Sequence, residues 1–384
     1  MKALILKFLT AYSNHRFIFL LLLSFFYTAS GQEVTIALYY HRPLEQVVFT
    51  ATSGSYEIVA GDTGKRILQQ GEMVYLSAVD SLIVLYRPER ETVQSDSILL
   101  RSVPEDNDNS RFRLQAVTPA LPANEYPGSL VLKAGNGILL PVNHADRETY
   151  IAAVTEAEGG GMAPAAYVQA QAILVRTFLA SAGERHAGEG FDLCDGVHCQ
   201  VYHGIGTYHS RILEITRTTT GKILRNSNGN PARIAYHSNS GGETADARDV
   251  WLIPLPTLKP VRDPYSLQGP HAVWKRKFPL ATWRKVLADL GMTDVENLPA
   301  NAFNFRQDHR TRVYLPARDG IPFRLLREKL DLPSAFFSVT VKDNKVILDG
   351  RGYGHGLGLS QEGAMEMARQ GFTAEEILEF YFQK

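Results

Sequence analysis

From residue 34 to about residue 87, apolar and polar positions alternate or cluster in short runs, with no helical period between them. Residues 34–39, 56–59, 74–76 and 82–85 each read as a strand, because β-formers fill them and turn residues such as Gly61-Asp-Thr-Gly64 separate them. Residues 129–133 and 138–142 flank Gly135-Asn-Gly137, a spacing that predicts a hairpin. That hairpin feeds into Tyr150 and is placed at the entrance of a second domain. The apolar period lengthens after Pro164: Val168, Ala172, Val175 and Leu179 recur at three- and four-residue spacing, predicting a helix over 164–181 with one buried stripe. Proline suits the first turn, where its missing N–H has no intrahelical partner. Further helices are predicted over 280–290, 360–369 and 373–382, with short strands over 222–224 and 233–236. Strands first and helices later make the class mixed α+β. A polar acidic loop at 104–110 and a proline-rich stretch at 119–127 suggest three parts: a leader over 1–31, a β-rich domain over 32–120 and a second domain over 121–384.

Charge adds an exclusion. Forty Lys and Arg balance 40 Asp and Glu among 384 residues, so no basic surface argues for nucleic acid or anionic lipid. A neutral or sparsely charged polymer is the easier partner, though arginines such as Arg176 and Arg351 could form a local positive patch that the total conceals. Lys2, Lys7 and Arg16 precede an apolar run over 17–27, too short for a comfortable membrane span. Ala29-Ser30-Gly31 then sets small residues before Gln32. The expectation is an exported protein, cleaved before Gln32 and resident in the periplasm or cell envelope.

Residues with chemistry fall in four places. In Tyr150-Ile-Ala-Ala-Val-Thr-Glu-Ala-Glu158, a carboxyl group closes an apolar run and Gly159-Gly-Gly161 follows. Partial desolvation there would raise the pKa of Glu158 and suit it to general acid–base work; a surface or capping glutamate is the plain alternative. Glu156 is the rival, sharing a face with Glu158 in an extended segment and diverging from it in a helix. The three glycines allow a tight turn or close approach to a ligand. The second place holds both cysteines of the chain, Cys194 and Cys199, with His198 between them and His186 upstream. In an exported protein a cysteine pair is expected as a disulfide, while two cysteines and two histidines suffice for tetrahedral zinc. Both readings stand on the residues alone. Adjacent His198 and Cys199 require a turn if both are ligands, and four protein ligands would make the metal structural.

The third place, His237-Ser-Asn-Ser240-Gly-Gly242-Glu-Thr244, offers hydroxyl and amide groups to sugars, or is an ordinary polar turn. The fourth, Gly352-Tyr-Gly-His355-Gly-Leu-Gly358-Leu-Ser360-Gln361, has glycine at every second position, which predicts a strand with one bare face. Ser360 is a natural N-cap for the helix that follows. No βαβ unit surrounds these glycines, so dinucleotide binding is excluded. A serine hydrolase using His237 or His355 lacks a nucleophile elbow.

In this order the strings resemble the SpoIID/LytB family over about residues 126–382. Four blocks carry the resemblance: Tyr150 through Arg176-Thr177; Asp192-Leu-Cys-Asp-Gly-Val-His-Cys-Gln-Val-Tyr202; Tyr236-His-Ser-Asn-Ser-Gly-Gly-Glu-Thr244; and Gly350-Arg-Gly-Tyr-Gly-His355 through Gly-Ala364. The resemblance implies a peptidoglycan lytic transglycosylase that forms 1,6-anhydro ends, preferably on strands stripped of stem peptides. Counting from the shared tyrosine puts the catalytic acid at Glu158. It implies zinc, in some members, at the block of Cys194 to Cys199, hence the ligand set His186, Cys194, His198 and Cys199, with no cofactor required for the chemistry. Other members enhance a wall amidase without cleaving glycan. A substrate shell of Tyr202, Ser240, His355, Ser360 and Gln361 is expected around Glu158. Two departures stand out: Gly159-Gly-Gly-Met162 replaces the family's Met-Pro, and residues 301–318 find no match, which suggests a surface elaboration.

Overall fold

The computed structural model describes residues 33–61, 66–87, 92–103, 110–182 and 185–382. The expected leader with its cleavage point, and the acidic loop at 104–109, lie outside them. The early alternation builds strands β1 (Glu33–Ala37), β2 (Gln46–Ser53), β3 (Tyr56–Val59), β4 (Arg66–Leu68), β5 (Met73–Val79), β6 (Leu82–Tyr86), β7 (Val93–Ser95), β8 (Ser97–Ser102), β9 (Arg111–Thr118), β10 (Asn124–Pro127), β11 (Ser129–Gly135) and β12 (Ile138–Asp146). A two-residue strand, β13 (Leu193–Cys194), joins them from far along the chain. They form a seven-stranded sheet, β13-β1-β12-β11-β8-β3-β4, and a six-stranded sheet, β10-β9-β2-β5-β6-β7. Phe49, Leu76 and Phe112 from the second sheet share one core with Tyr56, Leu100 and Leu132 from the first. Alternate residues of each strand supply that core, as a half-buried strand requires.

The predicted hairpin is present, and Asn136 and Gly137 both take positive φ (52° and 75°) at its turn, as a two-residue hairpin turn needs. Its place differs from expectation. β11 and β12 lie inside the seven-stranded sheet between β8 and β1, so a boundary at 120/121 would cut the sheet. The β-rich unit instead runs to Asp146, where the chain passes directly into a helix.

Helices α1 (Arg147–Gly159), α2 (Ala165–Ser181) and α3 (His209–Arg217) follow. α2 is apolar nearly all round because it is buried on two sides: Ala172 and Val175 join the sheet core, and Tyr167, Ala170, Ile173 and Leu174 join a second, mostly helical core. Residues 222–224 and 233–235 are not strands; the extended segment reduces to β14 (Tyr236–His237). A short helix, α4 (Ala247–Val250), comes next.

Residues 273–351 then fold around a third core. β15 (Val273–Pro279), α5 (Leu280–Asp289), β16 (Val313–Tyr314), β17 (Ile321–Pro322), α6 (Phe323–Leu330), β18 (Phe337–Lys342) and β19 (Lys345–Arg351) enclose Trp283, Phe303, Tyr314, Phe323 and Phe337. The unmatched segment at 301–318 is therefore not a surface elaboration: Phe303 and Tyr314 are fully buried, and the Tyr314 hydroxyl donates to the Phe303 carbonyl at 2.6 Å. Beyond this unit β20 (Leu359–Ser360) pairs in parallel with β14, and α7 (Gln361–Arg369) and α8 (Ala374–Tyr381) close the helical core.

One buried ion pair locks α1 to α2. The Arg176 guanidinium makes a two-pronged contact with Glu148, at 3.2 and 2.8 Å, and only 3 % of the Arg176 side chain is exposed. Arg176 thus supplies no surface patch. Replacing Arg176 by Met leaves Glu148 uncompensated, and urea denaturation is expected to show a loss of roughly 3–5 kcal/mol.

Candidate active site

α1 starts where Asp146 accepts from the Thr149 N–H at 2.9 Å, and it buries Tyr150 through Thr155. It ends where Gly160, at φ 79°, donates its N–H to the Glu156 carbonyl. A residue with a side chain is strained at that φ, so the glycine serves the helix end. Gly159 and Gly161 leave room for the rings of Tyr167 and Tyr208; they admit protein side chains rather than a ligand.

Glu156 and Glu158 sit about 200° apart on this helix, which separates the rivals. Glu156 accepts from the Tyr208 N–H at 2.8 Å. Glu158 Oε1 faces a cleft and accepts from the Val201 N–H at 3.2 Å and the Tyr236 hydroxyl at 3.3 Å. The Gln361 amide donates to the Glu158 backbone carbonyl at 3.1 Å. Burial raises the Glu158 pKa above its ordinary value, opposed by the hydrogen bonds from Val201 and Tyr236. Its place in the last helical turn pushes the same way, since the negative end of the helix dipole disfavours a carboxylate.

The cleft has two lobes that meet at Glu158, Ser238 and Gln361. The larger holds about 900 Å³ and includes His198, Tyr236, Trp251, Arg327 and His355. The smaller, about 470 Å³, includes His271, Glu362 and Arg369. An acid group midway along a two-lobed groove suits a chain that passes through rather than a small molecule that enters and stops.

The expected substrate shell divides. His355 and Gln361 line the cleft. Tyr202, Ser240 and Ser360 do not, and each is corrected to a structural role. Tyr202 is 1 % exposed, its hydroxyl donates to Asn143 at 2.7 Å, and its ring lies between Tyr126 and Tyr150. The Ser240 hydroxyl donates to Asp263 at 2.7 Å. Ser360 accepts from the Gly363 N–H as the N-cap of α7 and from the Ser240 N–H. Buried hydroxyls must find partners inside the protein: Ser240 and Ser360 tie together the segments beneath the cleft, and Tyr202 packs in the sheet core. Tyr236, Ser238 and the Val201 N–H are the site groups missed from sequence; Tyr236 and Ser238 stood in the polar turn, beside the serine chosen.

The glycine run is not a strand. Gly352, Gly354, Gly356 and Gly358 all take positive φ, between 66° and 101°, and the loop threads against residues 235–241. A Cβ on Gly358 would lie 2.1 Å from the Ala235 carbonyl oxygen. His355 accepts from the Leu357 N–H, and His237 donates to the Leu357 carbonyl. Neither imidazole bonds a serine, so no Ser–His pair exists among the described residues.

At the far end of the larger lobe, His186, Cys194, His198 and Cys199 bring one ligand atom each within 4.8 Å of one another. Both cysteines are free. The Gly196–Cys199 turn, closed by the Cys199 N–H at 3.0 Å, lets the adjacent His198 and Cys199 converge. Cys194 Sγ lies 3.7 Å from His198 Nδ1, and Cys199 Sγ lies 3.5 Å from His186 Nε2 and 3.8 Å from His198 Nδ1. Bonds of about 2.0–2.3 Å set tetrahedral ligand atoms about 3.3–3.8 Å apart, so the donor set fits one metal ion. Glu189 holds the other nitrogen of His186 at 2.7 Å, an orienting contact typical of metal-bound histidine. Burial pushes the Cys199 thiol up to about 11; a dication is what would favour its thiolate. Four protein ligands leave no position for water, and Val201, two residues on, is the donor to Glu158.

Fold and site together define an α+β protein with a carboxyl group, Glu158, where two cleft lobes meet, and a Cys₂His₂ cluster buried except at His198. Residues 136–225 match the family described as SpoIID, Stage II sporulation protein, which supports the resemblance to the SpoIID/LytB family over that part of the chain. The chain is 28 % identical over 257 residues to a Stage II sporulation protein D of Bacillus subtilis, covering 63 % of this chain and 74 % of that one. The counterpart from Bacillus amyloliquefaciens is 29 % identical over 235 residues, covering 56 % and 66 %. An amidase enhancer of Bacillus subtilis is 24 % identical over 267 residues, covering 56 % of this chain but 37 % of its own length.

Elemental analysis of the purified protein is expected to find about one divalent ion per chain, with the cysteine thiols reacting only after denaturation. Cys194→Ser should lose the ion. A metal-free protein without reactive thiols would instead establish a disulfide.

Proposed function

We propose that this protein is a lytic transglycosylase that cleaves the glycan strands of peptidoglycan, with Glu158 as its acid and base. One observation carries the reading: the cleft offers a single uncommitted carboxyl group. Glu362 accepts from Asn239 at 2.7 Å and pairs with His271. Glu366 is engaged by Arg369 and Gln370. Glu158 has no ion pair among the described residues and is held by neutral donors, the Val201 N–H and the Tyr236 hydroxyl, with the Gln361 amide beside them. Hydrolysis of a glycosidic bond generally needs two carboxyl groups; intramolecular transfer manages with one.

The Glu158 carboxylic acid protonates the bridging oxygen, and the C1–oxygen bond of the muramic residue breaks with oxocarbenium character. The leaving sugar departs with that proton as its hydroxyl. The Glu158 carboxylate then takes the proton from the same residue's C6 hydroxyl, whose oxygen closes on C1. Glu158 regains its acid form, and the products are a 1,6-anhydro end and a free non-reducing end, with no water consumed. The nucleophile is tethered to the reacting ring, so little orientational entropy is lost. Tyr236 and the Val201 N–H hold Oε1 and stabilise the carboxylate during the interval.

The Cys₂His₂ set supports structural zinc, held by His186, Cys194, His198 and Cys199 and anchoring the loop that bears Val201. The exported location fits a wall substrate and rests on the leader expected from sequence. A second reading follows from the relative named an amidase enhancer: a wall-binding protein that stimulates an amidase and leaves glycan intact.

Glu158→Gln keeps the size and loses the proton. Release of anhydro-ended fragments from purified glycan, followed by mass spectrometry, is expected to fall about a hundred- to ten-thousand-fold; unchanged release would sink the assignment. Because the acid form starts the reaction, kcat/KM falls as pH rises through the Glu158 pKa. Tyr236→Phe removes a bond that favours the carboxylate, so the alkaline limb of the pH profile should move to higher pH. A downward shift would contradict the role given to Tyr236.

A further inference from the structure

The larger lobe carries a charge imbalance that the whole chain does not. Arg185, Arg233 and Arg327 line it, and Glu158 is its single carboxyl group. Arg185 is engaged, donating to the His198 carbonyl at 2.7 Å and lying over the Phe178 ring. Arg233 is exposed at the rim. Arg327, on α6 of the inserted unit, is half-buried. Its Nε donates to the Leu332 carbonyl at 3.3 Å, which fixes the direction of the planar fork. Its two terminal nitrogens have no partner among the described residues.

The surroundings add to the imbalance. The guanidinium carbons of Arg310 and Arg351 lie 4.7 and 3.7 Å from the Phe336 ring centre. Arg310 donates to the carbonyls of Glu243 and Ser240, and Glu243 is its acidic neighbour. Arg351 donates to the carbonyls of Gln307 and Asp308. His355, beside them in the cleft, is held to about 4 by burial and by the charges of Arg327 and Arg310. A half-buried guanidinium fork with free terminal donors, in a lobe short of acids, is built to receive a planar anion.

We propose that Arg327 is a specificity-determining residue that pairs with the carboxylate of the muramic acid lactyl group. This rests on the glycan reading given above. The lactyl group is a free carboxylate only where no stem peptide is attached; with a peptide it is a neutral amide. Arg327 therefore reads peptide removal as charge, and would give the preference for stripped strands, expected from the family resemblance, a residue in this chain. The inserted unit at 273–351, whose core is separate from the other two, is the part of the fold that brings this reader to the cleft.

The test is a binding cycle with Glu158→Gln as the parent protein, so that nothing is turned over. Calorimetry measures binding of peptide-free glycan oligosaccharides, and of the same oligosaccharides with their lactyl carboxyl groups reduced to alcohols. Arg327→Gln is expected to weaken binding of the acidic glycan on the order of tenfold or more, and to leave binding of the reduced glycan unchanged. Arg327→Lys should recover part of the loss, which separates lost charge from lost fold. The proposal is overturned if Arg327→Gln binds the acidic glycan as the parent does, if both glycans weaken equally, or if the parent binds neither. The cycle needs no catalysis: a protein that discriminates by lactyl charge yet never cleaves would refute the Glu158 chemistry and leave Arg327 in place.

Discussion

The structure depends on how one carboxylate oxygen is held. Glu158 Oε1 receives the Val201 N–H and the Tyr236 hydroxyl, and each of the three residues arrives on a different part of the fold. α1 carries Glu158 directly out of β12, inside the seven-stranded sheet. The loop behind the Cys₂His₂ cluster carries Val201. The parallel pair β14–β20 carries Tyr236. Two donors suffice to orient the acid without fully offsetting the cost of its burial, so it remains an acid that can both give and take a proton.

The supporting parts act at a distance from the cleft. β13 pairs with β1, and Asp195 accepts from the Tyr40 N–H, which ties the cysteine loop to the sheet before any metal is considered. Gln200 links the same loop to the site, donating to the Tyr236 hydroxyl at 3.2 Å. Beneath the cleft, Ser240, Asp263 and Ser266 form a buried polar knot. Burial raises the Asp263 pKa, and hydrogen bonds from its neighbours oppose that rise. Polar groups confined this way are costly to separate, so the floor stays rigid while the lobes above remain open.

Local pattern was legible where local chemistry decided the outcome. Pro164 and the apolar stripe to Leu179 marked α2, Gly135-Asn-Gly137 marked its hairpin, and Ser360 marked the start of α7. The α+β class followed from the same runs. What sequence did not show was set by partners far along the chain. The 129–142 hairpin looked like a domain entrance because its neighbours in the sheet, β8 and β1, lie well before it. The alternating glycines from Gly352 imitated a strand, because spacing cannot reveal positive φ. Ser240 and Tyr202 were chosen for their hydroxyls, yet burial against Asp263 and Asn143 had already engaged them. The cationic lobe was invisible in a net charge of zero; Arg176 is paired with Glu148, and Arg351, bound to backbone carbonyls, stands beside the lobe rather than in it.

The central claim is that a single acid suffices because the substrate supplies its own nucleophile. Digestion of peptide-free glycan in water carrying heavy oxygen, read by mass spectrometry, tests it most directly. The account predicts new 1,6-anhydro ends that contain no solvent oxygen. New reducing ends bearing the heavy oxygen would show hydrolysis and contradict it.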